Sequence, residues 1–269
     1  MIVQPKNTEH TYQLYDTLLP NQTSFIYLGI RINNKGFLDA PELIARNSLS
    51  AINSMQILNN IYLRSYGFSR VLSSQLYTQF IRPKLEYGLA ILTFTKPQSA
   101  NIEKTQNQCI RMIYGAHSKS ETKIMRHLTK HLSMSELIAV LQVKYVYRAQ
   151  FLLDDALLTQ LRPGLEAQKT SYWSKLCNKS PIIQLLLQPS CDACCALLKT
   201  TIRQYLTDTL DHIRSSPSKA KLLSCCLPKL GVDPIMWVPM SNKERSRCIR
   251  WRLGWLPGGR FKSCSRCHS

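Results

Sequence analysis

The sequence predicts a mainly α-helical protein that begins with a β-hairpin. From about residue 41 to residue 153, apolar residues recur at the spacing of a helix face. Within this region, Ser118-x-x-Glu121 and Ser133-x-x-Glu136 are capping boxes, which are typical of helix N-termini. Residues 25–32 are instead rich in Phe, Ile and Tyr and precede a cluster of turn residues. With 269 residues, of which 44% are hydrophobic, the chain can bury a sizeable core.

The hairpin is predicted near the N-terminus. The strand of residues 25–32 leads into Asn33-Asn34-Lys35-Gly36, and the apolar pair Phe37-Leu38 follows. Asn and Gly tolerate the positive φ angles of tight turns, so the turn is expected at residues 33–36.

Helices are predicted along most of the remaining chain. Their approximate bounds are 41–64, 70–81, 84–95, 99–114, 119–131, 134–153 and 191–214. Arg162-Pro163-Gly164 interrupts the pattern, and the prolines at 228, 234 and 239 indicate an irregular connector. The adjacent carboxylates Asp154-Asp155 follow a helix and are interpreted as a helix-end or loop feature.

The segment from Leu72 to Glu86 predicts a helix that bends. Leu72, Leu76 and Phe80 recur every four residues and are expected to form a buried face. Pro83 lacks an amide hydrogen, so the helix should end or kink there and a new turn can start. Glu86 is then placed for an ion pair with Arg82, four residues earlier.

The charge predicts a polyanionic partner. The chain has 35 Lys and Arg against 16 Asp and Glu, a formal charge of +19. Nucleic acid is the commonest such partner, and an anionic membrane surface is the competitor. No apolar run approaches the roughly 20 residues that span a bilayer, and residues 1–9 lack a signal-peptide pattern. We therefore expect no membrane insertion, an intracellular location in nucleus or cytoplasm, and reduced cysteines.

Three segments in sequence order carry a family resemblance. They are Phe25-Ile-Tyr-Leu-Gly29, Leu76–Gly88 (LYTQFIRPKLEYG) and Gln106–Arg111 (QNQCIR). Together they resemble the part of a non-LTR (LINE-type) retrotransposon reverse transcriptase that lies downstream of its catalytic aspartates. The resemblance implies a primer-grip-like role for Phe25, Tyr27, Leu28 and Gly29. It also implies that the following helices form a thumb-like bundle, and then a helical linker.

Two helices of the thumb-like region are candidates for nucleic-acid contact. Ile102, Ile110 and Ile113 give the first a buried stripe, and Arg111 lies on its polar side. In the next helix, five basic or titratable residues share one side if the helix is unbroken: Lys123, Arg126, His127, Lys130 and His131. Such a row can contact successive phosphates. A solvated charged face is the alternative interpretation for both.

The C-terminal segment is a further candidate. Residues 243–266 carry eight Lys or Arg against one Glu, with tryptophans between them. Positive charge and flat aromatic faces suit single-stranded or structured RNA, so Arg247, Arg250, Trp251 and Trp255 are candidate contacts. The alternative is a core Trp pair with a basic rim.

Cys264-x-x-Cys267 resembles the first half of a CCHC zinc knuckle. His268 follows too closely to be the knuckle histidine, so this candidate metal site is two ligands short. No cofactor is assigned, and zinc is expected only if further ligands complete the site.

Cys191-x-x-Cys194-Cys195 has the spacing of a second metal clip, but Cys191 and Cys194 continue the apolar face of Leu198 and Ile202, so buried thiols are favoured there. Cys225 and Cys226 have no assigned role.

The predicted function is nucleic-acid binding without catalysis. Polymerase chemistry needs carboxylates that hold two Mg²⁺ ions, and the family's aspartate pair does not occur before Phe25. No catalytic residue is therefore assigned, and Mg²⁺ is expected only in a complete polymerase. The expected partners are RNA, an RNA/DNA hybrid and a polypeptide supplying palm and fingers. Alternatives are a stand-alone helical nucleic-acid-binding protein, a degenerate reading frame without selected function, and a zinc enzyme built on the cysteines.

This interpretation divides the chain into five parts. They are a palm remnant with the hairpin (1–40), a thumb-like bundle (41–132), a helical linker (133–214), an irregular connector (215–242) and a basic segment with the start of a zinc knuckle (243–269).

Overall fold

The structure is a computed structural model, and it confirms a mainly α-helical protein with small antiparallel sheets near the N-terminus. It describes residues 13–15, 17–18, 22–33, 38–61, 68–179, 183, 195–215, 226–253 and 255. The strands are β1 (Gln13–Leu14), β2 (Thr17–Leu18), β3 (Ser24–Tyr27) and β4 (Ile30–Asn33). The α-helices are α1 (Ala40–Ile61), α2 (Arg70–Leu76), α3 (Arg82–Glu86), α4 (Lys96–Tyr114), α5 (Thr122–Leu128), α6 (Met134–Gln150), α7 (Leu157–Ala167), α8 (Tyr172–Lys179), α9 (Cys195–Ser215) and α10 (Asn242–Arg252).

The main hairpin turns earlier than predicted. β3 pairs with β4 across Leu28 and Gly29, which both have positive φ angles, of 47° and 72°. The predicted strand of residues 25–32 is therefore itself a hairpin, because positive φ at both central positions is typical of a two-residue type I′ turn. Pairing beyond residue 33 also occurs. Ile32 bridges Leu38, and the Asp39 amide donates to the Arg31 carbonyl at 3.0 Å.

Gly88 lets the hairpin pack closely against α1. Its φ is +77°, and a Cβ atom there would lie 2.9 Å from a methyl group of Leu43 and 3.3 Å from one of Ile30. A side chain would meet both a strained backbone and a clash. Ile30, Ala40, Leu43 and Leu92 form the small buried cluster that this approach allows.

The region of residues 70–86 bends as predicted, but it buries a different face. A π-helical turn, Tyr77–Ile81, joins α2 to α3, and Pro83 lies in the first turn of α3. Tyr77 and Ile81 are fully buried, whereas Leu72 and Phe80 are exposed. The predicted Leu72–Leu76–Phe80 face was therefore wrong, because a second row with the same four-residue spacing, offset by one position, faces the core.

The predicted helix of residues 84–95 is largely absent. α3 ends at Glu86, and a short 3-10 turn, Leu89–Ile91, precedes extended residues. Buried Asn47 of α1 donates its side-chain amide to the Tyr87 carbonyl at 2.7 Å. This bond satisfies a helix-end carbonyl that a continued helix would have used itself. The predicted Arg82–Glu86 ion pair is confirmed, at 2.6 Å.

The helical part of the described chain contains a larger and a smaller hydrophobic core. The larger contains side chains from α1, the π-helical turn, α3, α4, α5 and the first half of α6, and Ile249 and Leu253 from the C-terminal region pack into it. The smaller joins the second half of α6 to α8, with α9 packed against it. The predicted stripe of Ile102, Ile110 and Ile113 is confirmed as buried. Among the described residues, no helix is both long and apolar enough to cross a membrane.

Candidate nucleic-acid interface

The primer-grip-like residues form an exposed hairpin turn. Tyr27 and Leu28 are largely exposed, Phe25 is half-buried, and Gly29 completes the turn. Tyr87 donates its hydroxyl to the Leu28 carbonyl, and Arg46 donates to the Gly29 carbonyl. Both carbonyls at the turn are therefore held by side chains from the helical part of the molecule.

The basic region around α5 differs from the predicted continuous face. α5 spans Thr122–Leu128 and ends before Lys130, whose φ is +59°. Glu121 caps the helix with its side chain, so the predicted Ser118 capping box was wrong, whereas the Ser133 box at the start of α6 is confirmed. The five predicted residues do not form one unbroken helical row, because α5 ends at Leu128 and Lys130 has a left-handed backbone conformation.

Arg126 is occupied by an acidic partner from another helix. Its guanidinium pairs with Glu103 of α4, and the side chain of Arg126 is only 11% exposed. The second carboxylate oxygen of Glu103 accepts the Met134 amide at 2.6 Å. The α5 region therefore has an acidic partner, and it comes from another helix. This ion pair joins α4, α5 and the start of α6.

His131 is part of the core and not of a basic surface. It is 7% exposed, shares a 2.7 Å hydrogen bond with Ser74, and meets the ring of Tyr77 edge-on. Burial, assisted by the charges of Arg82 and Arg126, lowers the pKa of His131 to about 3. The imidazole is therefore neutral at physiological pH and contributes no positive charge.

The other candidate residues near α5 are either held by hydrogen bonds or exposed to solvent. His127 bonds through its Nε2 atom to the Leu227 carbonyl at 2.8 Å, and Arg111 donates to the Ser120 carbonyl at 3.0 Å. Lys123 and Lys130 are exposed. All five predicted α5 residues line one small cavity of about 80 Å³, which α9 closes with apolar side chains. The structure thus brings the predicted residues together around a partly apolar pocket.

α10 presents a regular basic stripe to solvent. Lys243, Arg247, Arg250 and Trp251 are exposed and lie at i, i+4, i+7 and i+8, which places them on one side of the helix. Ile249 and Leu253 on the opposite side are buried in the larger core. Glu244 is on the exposed side, but it accepts the Ser241 amide and hydroxyl in the capping box.

Arg70 of α2 adds a charge to this stripe, and sequence spacing could not have identified it. Its guanidinium donates to the Ser246 hydroxyl at 3.4 Å across 176 positions of sequence. Burial lowers the pKa of Arg70, and the nearby charges of Arg250 and Arg245 act in the same direction. Among the described residues, none of these three arginines forms an ion pair with a carboxylate.

The tryptophans of the C-terminal region are accessible. Trp251 is 56% exposed and Trp255 is 37% exposed. The Arg252 guanidinium lies 5.4 Å from the centre of the Trp251 ring. The candidate residues Arg247, Arg250, Trp251 and Trp255 are thus all on the surface, so the alternative of a core Trp pair was wrong for these two rings.

The predicted metal ligands Cys264 and Cys267 lie outside the described residues, as do Cys191, Cys194 and Cys225. In the part of the chain that the structure describes, no group of three His, Cys, Asp or Glu side chains is placed to bind a metal ion. Cys226 is buried in the larger core.

Comparisons of the chain with protein-family models, with curated proteins and with solved structures find no match.

Proposed function

We propose that this protein binds nucleic acid, and that α10 with Arg70 forms the main contact. The observation that carries the proposal is the exposed stripe of Lys243, Arg247, Arg250 and Trp251 on a helix whose other side is fixed in the core. A helix held in this way presents its charges at fixed spacing, so little conformational entropy is lost on binding.

The positive charges of the stripe have no ion-pair partner among the described residues. The formal charge of the chain is +19. Arg245 and Arg250 lie close enough to Arg70 for their charges to oppose its own. Phosphate groups would relieve this repulsion, and arginine can bind a phosphate with two parallel hydrogen bonds.

The substrate class follows from the resemblance to non-LTR retrotransposon reverse transcriptases. It implies that template RNA or an RNA/DNA hybrid is the ligand, with the helical bundle acting as a thumb and the Tyr27–Gly29 turn as a primer-grip-like element. The catalytic carboxylates would then come from palm and fingers outside this sequence, so the chain by itself would hold the hybrid without extending the primer.

The binding experiment compares three ligands of equal length at equal salt. Fluorescence anisotropy should give higher affinity for an RNA/DNA hybrid than for duplex DNA, because a thumb-like surface fits the A-like geometry of the hybrid. Equal affinity for hybrid, duplex DNA and duplex RNA would instead support a stand-alone basic module. With primer, template, Mg²⁺ and nucleotides, no extension is expected, and extension would contradict the proposal.

A charge-reversal variant locates the surface. Arg247→Glu with Arg250→Glu should abolish most of the binding, because two attractive contacts become repulsive. Lys169→Glu with Lys199→Glu makes the same change in charge at exposed residues of other elements and is the matched control. If both double variants lose affinity equally, the effect reflects net charge, and α10 is not the site.

A further inference from the structure

An open apolar groove lies beside the basic stripe of α10. Its volume is about 460 Å³, and its walls come from the connector before α10 and from α10 itself. The lining is mainly apolar and includes Ile235, Val238, Met240, Cys248 and Trp251. This volume is within the range of roughly 300–1,000 Å³ that is usual for sites that bind small ring systems.

Hydrogen bonds hold the connector wall of the groove to α5 and α10. Asp233 is 1% exposed, and its carboxylate accepts the Leu227 and Ile235 amides, both at 3.0 Å. The Asp233 amide donates to the Leu128 carbonyl of α5 at 3.0 Å. The Val238 carbonyl accepts Arg245 at 2.7 Å, which ties the connector to α10.

Two groups at the groove suit a flat, polar-edged ring. Trp251 lines it and is largely exposed, so its ring can stack on another flat surface. Arg252 also lines the groove, and a guanidinium carries several N–H donors that suit an acceptor at the edge of a ring.

We propose that the groove receives an unstacked nucleobase of a single-stranded nucleic acid, while the neighbouring stripe binds the phosphates on either side. Charge complementarity selects this occupant, because Arg247 and Arg250 stand on the same helix as Trp251. Nucleobases combine a stacking face with hydrogen-bond acceptors at the edge. The proposal rests on nucleic-acid binding by α10 and adds that the site distinguishes unpaired from paired bases.

The experiment separates base contacts from phosphate contacts. Anisotropy is measured for a short single-stranded RNA and for an abasic phosphodiester chain of the same length, at several salt concentrations. The wild-type protein should bind the RNA about tenfold more tightly than the abasic chain, the effect of one stacked base. Trp251→Ala and the groove-filling Val238→Phe should each bring this ratio close to one, because the RNA loses the contact of its unstacked base.

Trp237→Ala is the matched control, since Trp237 is an exposed tryptophan of the same region that does not line the groove. It should retain the tenfold ratio. A wild-type ratio near one, with normal salt-dependent binding of both ligands, would overturn the groove proposal and leave the phosphate-binding function intact. Absence of binding to both ligands, with the RNA/DNA hybrid still bound, would overturn the groove proposal alone, and absence of binding to all three would overturn both. If Val238→Phe fails to fold, Trp251→Ala decides, because that side chain is outside the core.

Discussion

The regions around α5 and α10 have similar basic patterns in sequence, and the fold uses them differently. Around α5, Arg126 is paired with Glu103 and His131 is buried beside Ser74. On α10, Lys243, Arg247 and Arg250 remain exposed while Ile249 holds the helix in the core. One basic region joins helices to each other, and the other is available to a partner.

The difference shows that the spacing of basic residues does not by itself identify a binding surface. Whether a basic region is free to bind a partner depends on whether a carboxylate from another element pairs with its charges. It also depends on how far the helix continues. In the α5 region, the carboxylate of Glu103 comes from α4, and α5 ends before Lys130, which has a positive φ. For α10, the nearest acidic residue in sequence, Glu244, is used in a capping box.

The largest expected effect is on stability, at Arg126. Arg126→Met should lower the free energy of unfolding by about 3 kcal/mol, since it leaves the partly buried Glu103 carboxylate without its partner. Urea denaturation followed by circular dichroism measures this change. The double variant Glu103→Gln with Arg126→Met should recover much of the loss. A change below about 0.5 kcal/mol, typical of surface substitutions, would contradict the assignment of Arg126 to a structural ion pair.

The next effect is a dependence of stability on pH that originates at His131. Its pKa is lowered from 6.5 to about 3, so between these values the unfolded chain binds a proton that the folded protein does not. The contribution of this residue to the free energy of unfolding is therefore fully present above pH 6.5. It decreases as the pH falls below 6.5, by about 1.4 kcal/mol per pH unit.

His131→Gln keeps a hydrogen-bonding side chain next to Ser74 and should remove this part of the pH dependence. Urea denaturation of both proteins at several pH values below 6.5 gives the comparison. Parallel curves for the two proteins would contradict a buried neutral His131.

The smallest effect on stability is expected at α10. Neutralising Arg247 and Arg250 with glutamine should change the free energy of unfolding by less than about 0.5 kcal/mol per site, because both side chains are exposed. The same denaturation assay applies. A loss as large as that of Arg126→Met would mean that these arginines also stabilise the fold.

Periodic apolar residues predicted α1, α2, α4, α5, α6 and α9, and the Ser133 capping box marked the start of α6, because burial and amide satisfaction act locally. The interruption predicted at Arg162-Pro163-Gly164 was wrong, since α7 continues through these residues to Ala167.

The sequence could not distinguish the Leu72–Phe80 row from the Tyr77–Ile81 row, since both have helical spacing. Which row is buried depends on how the segment packs against α1 and α4. It also missed the turn at Leu28–Gly29, because leucine rarely adopts positive φ and tertiary contacts from Arg46 and Tyr87 hold the turn.

The candidate interface was predicted in part. Arg247, Arg250 and Trp251 follow from the composition of one short basic segment, so the sequence was sufficient to name them as candidates, although it did not predict the helix that carries them. Arg70 lies far away in the chain, and only packing of α2 against α10 brings it to Ser246. The pairing of Arg126 with Glu103 likewise depends on how two helices meet, which spacing within either helix does not determine.

The most direct test of the central claim is the salt dependence of hybrid binding in two neutralised variants. One carries Lys243→Gln, Arg247→Gln and Arg250→Gln, and the other carries Lys123→Gln and Lys130→Gln. Each lost phosphate contact should reduce the slope of log affinity against log salt by about 0.9. For the α10 variant, which loses three contacts, we predict that the slope falls by about 2 to 3. For the α5 variant we predict a nearly unchanged slope. An unchanged slope for the α10 variant, with a reduced slope for the α5 variant, would contradict the account.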